Sequence, residues 1–355
     1  MASYKKIGTG KIHLAADSRR TTTSSSAALR HAVHIVYPVC CLAGSHRLLE
    51  HVQSEGATKP LGEAVAQQDT PALFNWLVRA LSFQGVSDRT AAAYMEINGA
   101  PTWDNIASRL AEGPSCPKLR GYHTFSRCGY SKSKKTCERP EHFARCPVPR
   151  DVLRNGRLNQ TAYSLYFFMR DVANGDLVGW VSGQLQSVPR SVPETYSRRL
   201  RESLIGPLRQ VYGIADKVLS MTLASLLLAA PVKWTHWRDV GGGMIAIDTL
   251  VHKLLHRTGI LRSFGAQHHY GERCYGKNGC AEIIERISGQ IDAREFNDTY
   301  PRNFPRFVQH ALWRWCAQDG FSICNSVRIK DGTRCVQRAN CRVFRRCRRR
   351  SINVS

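Results

Sequence analysis

Apolar residues recur along this chain with the spacing of one helical face. Across residues 71–81, Leu73, Trp76, Leu77, Ala80 and Leu81 share a stripe, and Ser87 or Asp88 can cap a following helix through Ala91 to Met95. Residues 158–173 place Leu158, Ala162, Leu165, Met169 and Val172 on one side. The pattern returns at 281–291 with Ile283, Ile284, Ile287 and Ile291, and at 304–316 with Phe307, Val308, Ala311, Leu312 and Trp315. No sustained alternation of period two appears, so the expected fold is mainly α.

Two stretches interrupt this texture. Residues 116–146 are rich in Lys, Arg, Ser and Cys and poor in aliphatics, which predicts a loop or a small stapled insertion. The other, 324–355, is Cys- and Arg-rich and contains Arg345-Arg346-Cys347-Arg348-Arg349-Arg350. Two apolar runs, 33–44 and 218–232, fall short of the ~20 residues that span a bilayer. The second, set between Lys217 and Lys233, reads as a buried helix. Met1 to Lys11 is basic with no apolar segment after it, which predicts no secretory signal. The expected organisation is a flexible polar leader (1–27), N-terminal helices (28–115), a Cys-rich insertion (116–150), a helical core (151–262), C-terminal helices with a Cys-rich module (263–347), and a tail (348–355).

Charge narrows the class of partner. There are 51 Lys and Arg against 27 Asp and Glu, a formal charge of +24, while 43% of residues are hydrophobic. Such a chain can build a core, which excludes a disordered basic tail. The excess points to a polyanion, nucleic acid before an anionic membrane surface.

The chemistry-bearing segment runs from 204 to 261. In it, Leu208-Arg209-Gln210-Val211 leads through Tyr212-Gly213-Ile214-Ala215 into Asp216-Lys217 and a long apolar helix. A Gly-containing turn opening on a helix N-terminus can hold a phosphate oxygen and so grip DNA without reading sequence. Further on, Ile247-Asp248-Thr249-Leu250-Val251 starts a helix that Gly259 can end. Upstream, Leu81-Ser82-Phe83-Gln84-Gly85-Val86-Ser87 follows an amphipathic helix.

These three motifs, in this order, resemble those of the helix-hairpin-helix DNA glycosylases, the endonuclease III-like superfamily. Gly213-Ile214-Ala215-Asp216-Lys217 matches the family's hairpin, with Ala215 in place of its second Gly and Val211-Tyr212 in place of Leu-Pro. Ile247 to Val251 matches its catalytic aspartate segment, and Leu81 to Ser87 its glutamine motif. Residues 233–243 and the block 116–146 read as insertions relative to the family. The resemblance implies a two-lobed helical fold, double-stranded DNA as partner, and a monomer in the cytoplasm with the nucleoid rather than at a membrane. It also implies base excision: the base is flipped from the duplex and its N-glycosidic bond is cut. Some resembling bacterial proteins remove bulky modified cytosines, such as glucosylated hydroxymethylcytosine, in defence against phage; others repair oxidised, alkylated or deaminated bases. A non-catalytic protein that binds DNA through the hairpin is the alternative.

On this resemblance Asp248 stabilises the cationic sugar and orients or deprotonates water; its other role is a helix N-cap worth ~1 kcal/mol. Lys217 is either a nucleophile that forms a Schiff base and adds lyase chemistry or a phosphate contact. Gln84 either fills the gap left by the extruded base or is an exposed polar residue. Tyr212, Gly213, Ile214 and Ala215 meet the DNA backbone. Trp76 reads as core, and Trp234 or Trp237 as a pocket edge.

Thirteen cysteines, an odd number in a long chain, do not form a secreted disulfide framework. Cys324, Cys335, Cys341 and Cys347 lie where several family members carry a [4Fe–4S] cluster, and only the final C-x5-C spacing agrees with that pattern. Structural zinc is the other candidate. Cys116, Cys128, Cys137 and Cys146 form a second group, and Cys274 with Cys280, after His268-His269, a third.

Overall fold

The computed structural model describes residues 23–56, 59–82, 88–131, 133–151, 156–189 and 193–352. Among them the fold is mainly helical. Helices α1 (Thr23–Ala43), α2 (Leu48–Ser54), α3 (Leu61–Ala66), α4 (Thr70–Leu81), α5 (Asp88–Asn98) and α6 (Trp103–Ala111) precede the insertion. Inside it are α7 (Tyr122–Phe125), α8 (Pro140–Phe143) and a ribbon of β1 (Tyr130–Ser131) with β2 (Thr136–Cys137), antiparallel, Tyr130 opposite Cys137. Then follow α9 (Gly156–Phe167), α10 (Leu177–Gln186), α11 (Pro193–Leu208), α12 (Asp216–Leu228) and α13 (Thr235–Gly243). The chain continues through α14 (Thr249–Thr258), α15 (Ile260–Ser263), α16 (Cys280–Ser288) and α17 (Pro305–Cys316).

Most positions of the helical stripes read from the sequence are buried; Ala80 and Val172 are half-buried, and the Leu158 side chain lies outside the described residues. Helix α4 buries Leu73, Trp76, Leu77 and Leu81, and also Phe74 and Val78. Asp69 caps it, accepting from the Ala72 N–H at 3.0 Å. Helix α9 differs: it is buried nearly all round, polar residues included. Its Asn159 donates to the Val148 carbonyl at 3.1 Å and Gln160 to that of Cys128 at 3.3 Å. Those bonds make burial of polar side chains tolerable.

Two expectations change. Residues 233–243, read as an insertion, contain α13, a core helix that packs on α12 and buries Trp237 and Val240. A Cβ on Gly241 would lie 2.8 Å from the Leu227 Cβ, so the glycine lets the two helices approach closely. Trp237 is therefore core and not a pocket edge; its indole N–H donates to Ser182 at 3.2 Å.

The 33–44 run belongs to α1, a helix of 21 residues, and Ser26–Ala43 is long and apolar enough to cross a membrane by length and composition. In the fold Ile35, Val36, Val39 and Cys40 are buried, and α1 packs on α15, α16 and α17. The last residues of the expected leader, from Thr23, are already helical. Pro38 lacks an N–H, which leaves the His34 carbonyl without its helical donor. Arg346 supplies one, from the other end of the chain, at 3.2 Å.

Helices from both chain ends thus form one group. A second gathers α4, α6, α9 and α10, and α12 touches α2, α4, α11 and α13. Residues 348–352 are also held: Arg348 N–H donates to the Thr258 carbonyl at 3.2 Å, Arg350 to Arg257 at 2.9 Å, and Ile352 to Asp331 at 2.7 Å.

Candidate functional site

The site is built where two helices begin. The turn between α11 and α12 depends on Gly213, whose φ of +78° lies in the left-handed region that glycine adopts without strain. Helix α9 braces this turn. Ser164 accepts from the Tyr212 N–H at 3.2 Å, and Thr161 donates to the Tyr212 carbonyl. Tyr212, Gly213 and Ile214 are half-buried and Ala215 is exposed, so the turn reaches the surface as the sequence predicts. At its exit Asp216 pairs with Arg209 at 2.6 Å, and Arg209 also holds Glu202 at 2.7 Å. The Asp216 carboxylate is thereby occupied by Arg209.

Asp248 sits at the second helix start. It is the N-cap of α14, accepting from the Val251 N–H at 2.8 Å, and Gly259 closes the helix at φ +82°. Burial raises its pKa above the ordinary carboxylate value. The Val251 hydrogen bond and the Lys217 ammonium act against that rise. Lys217, in the first turn of α12, is thus close enough for its charge to be felt at Asp248. The two expected catalytic residues, 31 positions apart in sequence, lie within electrostatic range of each other without forming an ion pair.

Two tyrosines frame the approach to Asp248. The Tyr275 hydroxyl accepts from the Ile247 N–H at 2.9 Å, and the Tyr270 hydroxyl lies 3.4 Å from the Ile247 carbonyl. Burial, then the Asp248 charge, raises the Tyr270 pKa. Arg306 of α17 also faces this region: burial lowers its pKa to about 10, against the charges of Glu55, Tyr275 and Asp248. None of these three was singled out from sequence; they converge only through the fold. Gln84 lies outside the described residues.

Among the described residues, one group of donors is tight enough to hold a metal ion. The ligand atoms of His252, His268, Cys274 and Cys280 all lie within 4.8 Å of one another. His252 is one turn beyond Asp248 on α14, and Cys280 opens α16. Cys274 and Cys280 were already candidates with His268; His252 was not. Its only sequence signal is its place on a helix beside a second histidine, His256.

No family model matches this chain, nor does any curated protein or solved structure. Function has therefore to be read from the side chains.

The C-terminal cysteines also converge. Cys324, Cys335, Cys341 and Cys347 line one hollow with Arg257, Trp315, Val343, Phe344 and Arg349. Burial raises the Cys341 thiol to about 11 and Cys347 to about 12, and neighbouring thiols of the group push both further. In the insertion, burial raises Cys146 to about 11, with Cys128, Cys116 and Cys137 adding to the effect. All thirteen cysteines are free thiols.

Proposed function

We propose that the chain is a DNA glycosylase of helix-hairpin-helix type. It would extrude a modified base from duplex DNA and hydrolyse its N-glycosidic bond, leaving an abasic site. The observation that carries this reading is that Lys217, at the hairpin helix start, acts electrostatically on Asp248, a half-buried helix cap. The hairpin turn and the N-terminus of α12 offer partial positive charge to a backbone phosphate. That places the neighbouring sugar near Asp248. As the C1′–N bond breaks, positive charge grows on the sugar, and a desolvated carboxylate stabilises it more strongly than one in water. Water then adds to C1′, its proton passes to Asp248, and the base leaves with the bonding pair. A carboxylate with a raised pKa is the better proton acceptor.

Lys217 can take the place of water. Its neutral amine attacks C1′ to give a Schiff base, from which the strand is cut by elimination of the 3′ phosphate. The amine must shed a proton first, and Asp248, whose charge interacts with that of Lys217, is the candidate acceptor.

On the same reading Cys324, Cys335, Cys341 and Cys347 would hold a [4Fe–4S] cluster. The donor set fits: four thiols around one hollow, with buried Arg257 beside them and Arg349 Nε buried without a hydrogen-bond partner. A thiolate-bound cluster is anionic and accepts hydrogen bonds at sulfur, which would satisfy that orphan donor. When bound, it would supply a covalent tie among segments that share little secondary structure. Iron and sulfide analysis of the purified chain tests this.

The decisive test of the main proposal is base release from duplexes bearing uracil, oxidised purine, alkylated base or glucosylated hydroxymethylcytosine, with Asp248→Asn as control. Release by the native chain and at least a 100-fold slower rate in the variant is expected, on the order seen for lost general-base or electrostatic groups. Salt-sensitive DNA binding with no base released from any duplex would leave a binding protein instead.

A further inference from the structure

We infer that His252, His268, Cys274 and Cys280 bind one zinc ion, which fastens the 264–279 loop to α14 beside Asp248. The distances are those of a coordination sphere. His252 Nδ1 lies 3.3 Å from Cys280 Sγ and 3.5 Å from Cys274 Sγ, and His268 Nε2 lies 3.4 Å from Cys280 Sγ. In a tetrahedral zinc site, with Zn–N of ~2.0–2.1 Å and Zn–S of ~2.3 Å, adjacent donors sit roughly 3.3–3.8 Å apart.

The chemistry selects the ion. Two thiols and two imidazoles suit zinc, whereas magnesium and calcium need oxygen donors. Four protein ligands leave no open position, so the ion is structural. His252, Cys274 and Cys280 are buried, with Cys274 and Cys280 fully excluded from solvent.

The surroundings of His268 give a separate argument. Its Nδ1 lies 2.7 Å from the Ala266 carbonyl, which can only accept, so Nδ1 carries the proton. In a neutral ring Nε2 then holds a lone pair, and it is Nε2 that faces Cys280. An outer carbonyl fixing the tautomer of a ligating histidine is the usual arrangement around protein-bound metals. His256 reinforces it, its Nε2 lying 2.9 Å from the His268 carbonyl.

The consequence reaches Asp248 from two sides. His252 shares α14 with it, and the loop carrying His268 and Cys274 also carries Tyr270 and Tyr275, whose hydroxyls engage the Ile247 backbone. The ion thus ties together the segments before and after the Asp248 cap. Metal binding itself is independent of the glycosylase proposal; only the benefit to catalysis rests on it.

Elemental analysis of the full chain tests the site. The native protein should carry one equivalent of zinc that Cys280→Ser and Cys274→Ser each lose and Cys41→Ser, at an exposed thiol, keeps. Exchange for cobalt(II) should give the absorption of a tetrahedral site with thiolate ligands. Unchanged metal in Cys280→Ser, or a Cys274–Cys280 disulfide in the native chain by mass spectrometry, would overturn the assignment. Should the variants not fold, the native chain still decides. A chelator should open Cys274 and Cys280 to alkylation and speed amide exchange at 247–251. Alkylation that does not depend on the chelator refutes the metal, and unchanged exchange after metal loss refutes the tie to Asp248. Neither readout uses base release, so failure here and failure of the glycosylase reading are told apart.

Discussion

Asp248 carries two roles that a single substitution can separate. As a cap it accepts from the Val251 N–H, and as a carboxylate it sits where burial raises its pKa against the pull of Lys217. Asn caps a helix as well as Asp, whereas Ala forfeits ~1 kcal/mol. A folded-state pKa above the unfolded one means that stability is fully present below the unfolded value and is lost as pH rises through the folded value. At neutral pH the ionised carboxylate therefore costs stability, and the neutral amide relieves that cost. Asp248→Asn should melt at or above the native temperature near pH 7, while Asp248→Ala melts lower. A melting temperature for Asp248→Asn well below that of Asp248→Ala would show that the charge itself holds the fold. The same shift sets the acid limb of the pH–rate profile. Lys217, Tyr270 and Arg306 interact electrostatically with the carboxylate, yet burial dominates, so the limb should lie above 3.8, the ordinary value. An acid limb at or below that value would remove Asp248 as the titrating group.

At the scale of elements, legibility depended on whether a segment is organised by its own periodicity or by its neighbours. Helices α4 and α17 each bury one stripe and were readable from spacing alone. Helix α13 was not expected, because residues 233–243 were read only as an insertion; Gly241 in it serves close packing on Leu227. The metal site was legible only in part: Cys274, Cys280 and the preceding His268 stand close in sequence, whereas His252 comes from α14 and only the fold makes it their neighbour. The hairpin and the aspartate segment were legible because each is local, a turn or a cap followed by its helix. Their glycines make a graded prediction. Gly213→Ala imposes φ +78° on a side chain, which costs about 1–2 kcal/mol. Gly259→Ala adds to the same strain a Cβ only 3.0 Å from the Arg348 Cβ, so it should cost more and also loosen the docked C-terminal segment. Urea denaturation would rank them, at constant m if both remain two-state. The reverse order would mean that the contact between Gly259 and Arg348 yields easily.

For the molecule as a whole, the +24 charge is spread unevenly in its uses. Some cations are consumed inside the fold: Arg209 clamps the hairpin, Arg257 pairs with Asp331, and Arg346 replaces a missing donor in α1. Others stay exposed near the C-terminal end, among them Arg342 and Arg345, which join no ion pair among the described residues. Because α1 packs with the C-terminal helices, this basic end belongs to the same body as α14 and Asp248. If duplex DNA lies across that body, each phosphate neutralised contributes ~0.9 to the slope of log K against log salt. Replacing Arg342 and Arg345 together by Ala should therefore lower the slope by up to ~2 on any sequence. The base-release rate at saturating DNA should stay unchanged, since neither side chain is among the groups that act on Asp248. Fluorescence anisotropy across a salt series measures the first quantity and single-turnover kinetics the second. An unchanged slope would place the DNA elsewhere, whereas a fall in the saturated rate would show that these arginines orient the substrate as well as hold it.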